Sequence, residues 1–303
     1  MPTYAIVEAP SHLGLRAAGV EKLPAALLAA GLAERLDARL APRLRAPRYD
    51  PRIDPETRML NPISLRDYSL ALADAVGAVL DCGEFPIVLG GDCSILLGNA
   101  LALKRRGRYG LLFLDGHADF YQPEAEPTGE AASMDLALVT GRGPEIAANL
   151  EGRRPLVRDE DAVVFAFRDA DRAAAEGSQP LPPTLAAMDL TAVNERGIEQ
   201  AARDAVVHLE REDGPAGFWI HLDVDVLDDA IMPAVDYRLP DGLSWSELTA
   251  VLSAAVASGR AAGLEVTIFN PTLDTDGRIA RALVNALVAG LSPSGTAARE
   301  GGS

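Results

Sequence analysis

With 303 residues, 48% hydrophobic and 24% charged, the chain is long enough for one large α/β domain or two small ones. Its 44 acidic and 28 basic residues give a formal charge of −16, which argues against nucleic acid and anionic membranes as partners and is compatible with a cationic ligand. No apolar run reaches the roughly 18 residues of a membrane span. The start MPTYAIVEAP lacks a signal-peptide pattern, and Cys82 and Cys93 make no disulfide framework, so a reducing cytoplasm is the expected compartment.

In chain order, TYAIV (3–7) predicts a strand, 16–33 an amphipathic helix and 64–81 another. FPIVLG (85–90) is a strand, 94–106 a helix, and GLLFLD (110–115) and AVVFAF (162–167) are further strands. The Pro-rich stretch 178–183 reads as a surface loop, and a helix follows near 194–210. FWIHLDVDV (218–226) is a strand, and Ser244 with Glu247 forms a capping box that opens a helix over 245–257. AGLEVTIF (262–269) and a helix over 275–291 complete the pattern. Strand–helix alternation without a composition break predicts a mostly parallel sheet with helices on both faces. One domain over 1–290 and a flexible tail at 291–303 are expected.

Two of these strands end in an unusual way. Asp115, His117 and Asp119 follow the apolar run 111–114 at alternate positions. In extended chain, residues i, i+2 and i+4 project to one side. Three ligand-type groups would therefore converge at the carboxyl end of a strand, where open parallel sheets place their sites. In GFWIHLDVDVLDD (217–229) the pattern recurs, with His221, Asp223 and Asp225 on one face. Each stretch alone has a bland alternative, a solvated turn or an amphipathic edge strand. Together they bring carboxylates into an interior, where they are costly unpaired. A shared divalent metal removes that cost, and carboxylate with imidazole suits manganese, iron, nickel or zinc.

VLGGDCSILLG (88–98), LDGHADFYQPE (114–124), HLDVDVLDDAIMP (221–233) and GLEVTIFNPTLD (263–274), with GVEKLPAALLAAGL (19–32), resemble signature blocks of the arginase/agmatinase (ureohydrolase) family. They stand in the family's order and spacing, and the likeness runs to about residue 290. The resemblance implies a three-layer α/β/α sandwich with a mostly parallel, about eight-stranded sheet. It implies hydrolysis of a guanidino-type C–N bond with release of urea, by water that two manganese ions activate. It also implies a homo-oligomer, a trimer or hexamer. By motif, Asp115, His117, Asp119, Asp223 and Asp225 become metal ligands, Asp115 and Asp223 bridging both ions, with Asp119 also in the catalytic machinery. Glu265 becomes the carboxylate that grips the guanidinium.

The chain departs from the family pattern at several points. Cys93 stands where the family has a histidine ligand: it is either a thiolate ligand, which favours zinc or iron over manganese, or a small buried thiol with no metal role. In PTGEAASMDL (127–136), Ala132 replaces a proton-shuttling histidine, and Glu130 falls where arginases place an Asn on the substrate carboxylate. An anionic Glu130 disfavours free arginine and favours an amine or other cationic tail. His221 replaces a small residue and reads as a donor behind the metal, a substitute acid, or a satisfied core histidine. In FRDAD (167–171), Asp171 falls where an acid holds the substrate's α-amino group, or is a surface loop acid. The leading expectation is a metal-dependent hydrolase of a guanidino or formimino compound other than free L-arginine. An N-hydroxyarginine-type amidinohydrolase in a specialised pathway and a degenerate, non-catalytic binding module are the alternatives.

Overall fold

The apolar runs become the strands of a single sheet in the computed structural model, which describes residues 2–16 and 19–292. The strands are β1 (Tyr4–Glu8), β2 (Arg39–Leu40), β3 (Phe85–Leu89), β4 (Gly110–Leu114), β5 (Ala162–Phe165), β6 (Ala186–Met188), β7 (Phe218–Asp223) and β8 (Ala261–Thr267). They lie side by side in the order β2-β1-β3-β8-β7-β4-β5-β6, and every neighbouring pair is parallel. The helices are α1 (Leu23–Ala29), α2 (Leu32–Leu36), α3 (Pro62–Asp81), α4 (Leu96–Lys104), α5 (Asp135–Val139), α6 (Glu145–Ala148), α7 (Ala170–Ala175), α8 (Leu190–Arg196), α9 (Ile198–Leu209), α10 (Trp245–Ala257) and α11 (Arg278–Leu291).

The pleat sends alternate strand residues to opposite faces, which is why the strands are apolar throughout. Ile6, Ile87, Leu112, Ile220 and Leu264 pack under α1, α9, α10 and α11. Val7, Val88, Leu111, Phe113 and Trp219 pack under α3, α4 and α5. The result is the expected three-layer α/β/α arrangement.

Boundaries moved where glycine intervened. The helix expected over 16–33 divides at Gly31 (φ 89) into α1 and α2, and the one near 194–210 divides at Gly197 (φ 76) into α8 and α9. A positive φ ends a right-handed helix, and glycine adopts it without steric cost. The capping box forms as read: the Glu247 N–H donates to Ser244 Oγ, and the Glu247 carboxylate accepts from the Ser244 N–H at 2.8 Å. Edge strands β2 and β6 are two and three residues long, too short to leave a periodic signal in the sequence. Among the described residues no helix is long and apolar enough to cross a membrane. From residue 293 onward the expected tail lies outside the described residues.

Candidate metal centre and its cavity

The acidic residues converge, though not by the route that alternation suggests. β4 stops at Leu114, so Asp115, His117 and Asp119 lie in the loop after it, with Asp119 at φ 45. β7 stops at Asp223, and Asp225 lies in a 3₁₀ turn, Val224–Val226. Side-chain-to-backbone hydrogen bonds replace strand pleat as the organising force. The His117 N–H donates to Asp115 Oδ1 at 2.6 Å, the Asp225 N–H to Asp223 Oδ1 at 2.8 Å, and the Gly116 N–H across to Asp225 Oδ1 at 3.0 Å. Glycine at 116 is required by close approach: a Cβ there would stand 2.8 Å from the Asp225 carbonyl oxygen. At Gly91, beside Asp92 and Cys93, a Cβ would fall 1.6 Å from the Ser11 carbonyl oxygen. Behind the second loop, Arg168 donates to the carbonyls of Asp225 (2.9 Å), Val226 (3.4 Å), Leu227 (3.2 Å), Leu239 (2.9 Å) and Pro240 (2.8 Å).

Among the described residues three sets of ligand atoms arise, each with its members within 4.8 Å of one another: Asp115, His117 and Asp225; Cys93, Asp115, His221 and Asp223; and Cys93, Asp119 and Asp135. His117 Nδ1 is 2.9 Å from Asp225 Oδ2, and Cys93 Sγ donates to Asp223 Oδ2 at 2.8 Å. The electrostatics show a deficit of positive charge. Burial, then repulsion from the other carboxylates, pushes the Asp119 and Asp223 pKa values well up, and burial raises Asp225 and Asp135 as well. At Asp115 burial also acts upward, but His117 and His221 outweigh it and hold this carboxyl well below its usual range. Both imidazoles are pushed well up by the surrounding carboxylates, against the opposing effect of burial. Burial and Asp223 push the Cys93 thiol well up. Among the described residues, Asp115 Oδ2, both Asp135 oxygens and His221 Nε2 are buried without a hydrogen-bond partner. Excess carboxylate, orphaned acceptors and two imidazoles are a donor set that fits a divalent cation.

A cavity of about 450 Å³ opens on this cluster, with His117, Asp119, Asp223 and Asp225 in its wall. Glu126, Glu130, Asp169, Glu176 and Arg172 add charge to the wall, and Leu15, Ala132, Tyr237 and Ile268 complete much of the rest. Glu130 is buried and accepts from the Arg16 N–H (2.6 Å), Thr128 Oγ1 (2.9 Å) and the Tyr237 hydroxyl (2.6 Å). Arg172 is paired with Glu176 at 2.9 Å. Asp169 accepts from the Ala118 N–H at 3.0 Å, and burial raises its pKa.

Two expected substrate contacts are placed elsewhere. Glu265 lies two residues inside β8, in register with His221 of β7 and Val88 of β3. Its carboxylate is wholly buried, accepts from His221 Nδ1 at 2.7 Å and from Asn99 Nδ2 of α4, and does not line the cavity. The β8 end that reaches the cavity is Ile268, held at φ 69, a strained conformation for a β-branched residue. Asp171 is exposed on α7, and Asp169 is the acid of that segment in the cavity wall. His221 is wholly buried and ion-paired, so it is neither exposed to the cavity nor an apolar-core histidine. Asp135, Asn99, Asp169 and Tyr237 were not singled out from the sequence. Asp135 and Asn99 sit alone in apolar helical stretches, and that isolation was the available signal.

A model of the family described as "Arginase family" matches residues 3–291. An arginase of Staphylococcus aureus is 28% identical over 288 residues, covering 92% of this chain and 94% of that protein. In fold, the chain resembles the arginase of Bacillus caldovelox, with a TM-score of 0.85 at 24% identity over 96% of this chain and 98% of that one. It also resembles proclavaminate amidino hydrolase of Streptomyces clavuligerus, with a TM-score of 0.69 at 17% identity over 96% and 90% of the two chains.

Proposed function

The chain belongs to the arginase family and is a metallohydrolase acting on C–N bonds other than peptide bonds; on that premise we propose that its substrate is a small guanidino- or formimino-type compound with a cationic tail, not free L-arginine. The observation that carries this reading is the charge of the cavity wall. Outside the metal cluster it offers Glu126, Glu130, Asp169 and Glu176 against one arginine, and that arginine is already paired with Glu176. A carboxylate tail would meet repulsion there and an ammonium would meet attraction.

Asp115, His117, Asp223 and Asp225 would hold the divalent ion, with manganese the ion proposed from the family. Such an ion supplies Lewis acidity and lowers the pKa of nearby water. Asp119 stands in the cavity wall beside the cluster, so it is the carboxylate suited to take the water's proton and pass it to the leaving amine. Leu15, Ala132 and Ile268 keep part of the wall dry, and Tyr237 holds Glu130 in place. Assembly into a trimer or hexamer belongs to the same reading, and sedimentation would check it.

The test is a screen of guanidino and formimino compounds for release of urea, ammonia or amine by the manganese- or zinc-loaded protein. Amine-tailed compounds should be turned over and L-arginine should not. Urea release from L-arginine at about 10 per second or more would overturn the substrate assignment, and preference for N-hydroxyarginine would move it to that alternative. A second reading, a metal-containing binding module, draws on Ala132, which leaves no histidine at that point of the wall, and on Glu265, which stands outside the cavity. Metal at full occupancy with no turnover across the screen would favour it.

A further inference from the structure

Beneath the cavity floor, a histidine that the hydrolytic reading does not use faces the cluster from inside the protein. His221 lies in β7 between Phe113 of β4 and Glu265 of β8, and register places all three on one face. Its ring stacks on Phe113 at 4.4 Å between centroids and 10° between planes. Nδ1 is 2.7 Å from Glu265 Oε1, and Asn99 holds the other Glu265 oxygen. The ring is therefore immobilised, and a proton on Nδ1 is claimed by Glu265. Nε2 has no hydrogen-bond partner among the described residues, stands 3.8 Å from Asp115 Oδ2, likewise unpartnered among them, and the residue is 0% exposed.

A histidine whose one nitrogen is held by a carboxylate while the other faces acidic groups has the arrangement of a metal ligand with its supporting partner. The spacing agrees: two ligands at about 2.0–2.2 Å from one tetrahedral ion stand roughly 3.3 Å apart, close to the 3.8 Å between Nε2 and Asp115 Oδ2. Cys93 Sγ and an Asp223 oxygen lie within 4.8 Å of both.

We infer that His221 Nε2 is a further ligand of the inner of the two ions that the family resemblance implies, completing a set with Cys93, Asp115 and Asp223, while Asp115, His117 and Asp225 hold the outer ion. The inner site joins the Cys93 thiol, which follows β3, to a histidine of β7, a strand separated from β3 by β8. One thiolate and one imidazole among carboxylates select a borderline ion such as zinc or iron over manganese. Glu265 and Asn99 are positioning residues for this site. The inference rests on the metallohydrolase reading only in taking a divalent ion as the ligand.

The test uses His117→Ala, which removes the outer site's only imidazole at a partly exposed position and leaves the inner set intact. With one equivalent of zinc, X-ray absorption should show one sulfur and one imidazole nitrogen in the metal's shell. A shell without sulfur, or without imidazole, overturns the inner site. Cobalt in the unaltered chain should show thiolate-to-metal absorption that disappears in Cys93→Ser; absence of that band in the unaltered chain also overturns it. If the unaltered chain binds one ion and His117→Ala none, the inner site alone falls. If the unaltered chain binds no ion, the metallohydrolase reading falls with it.

Discussion

Replacing Glu265 by Gln separates a carboxylate that grips substrate from one that holds His221. Glu265 accepts on both oxygens, from His221 Nδ1 at 2.7 Å and from Asn99 Nδ2, in a wholly buried setting. Gln has one carbonyl oxygen, so one of the two donors must face an NH₂ group. A buried donor left without an acceptor costs about 1–3 kcal/mol, and exchanging a charge-assisted bond for a neutral one costs about 1 kcal/mol more. Relief of the buried charge acts the other way. That relief is real, because burial raises the Glu265 pKa and His221 only partly counters it, and it offsets part of the cost. A net loss of about 1–3 kcal/mol should lower the midpoint of thermal unfolding by roughly 2–6 °C in a chain of this size. Because His221 loses its orientation, affinity for the inner ion should fall about 10- to 100-fold. The assays are thermal unfolding with and without zinc, and titration of the metal-free variant. A variant as stable as the parent, with unchanged metal affinity and only a raised KM, would refute this placement and return Glu265 to the substrate.

Three further outcomes are expected. Asp119, Asp223, His117 and His221 all have pKa values above their ordinary ones in the metal-free protein, so the folded state holds extra protons. The stability they contribute is present at low pH and lost as pH rises through the raised values; Asp115, shifted downward, opposes this only below the usual carboxylate range. The gap in unfolding temperature between metal-loaded and chelator-treated protein should therefore widen from about pH 5 to pH 8, and a constant or narrowing gap would contradict it. Asp169→Asn should raise KM for a cationic substrate about 5- to 10-fold, from loss of a partly screened charge, while Asp171→Ala leaves KM and kcat unchanged; equal effects in steady-state kinetics would refute the assignment of Asp169 to the cavity. Arg168→Ala removes a guanidinium that holds five carbonyls around Asp225 and should cost about 2–3 kcal/mol. Denaturant unfolding measures that loss, and metal titration should show the outer site weakened.

Much of the fold was legible in the sequence because it depends on local and pairwise rules. Apolar runs of strand length alternating with amphipathic segments dictate a parallel sheet covered on both faces, and six of the eight strands coincide with such runs. Short edge strands β2 and β6 do not, since two or three residues carry no period. The convergence of the acidic residues was equally legible: Asp115, His117, Asp119, Asp223 and Asp225 are polar groups at strand ends, and an interior tolerates them only together. Their route to convergence was not, because backbone N–H groups donating to the Asp carboxylates bend both loops out of extended geometry. What only the tertiary structure decided is depth. Glu265 and Ile268 are three residues apart in one stretch, and the motif alone assigned the substrate to the carboxylate. The register of β8 against β7 buries Glu265 beside His221 and leaves Ile268 at the cavity. The same register turns His221 from an oddity of the sequence into a clamped imidazole facing Asp115, because which side chain reaches a site depends on how far its strand extends past its neighbours.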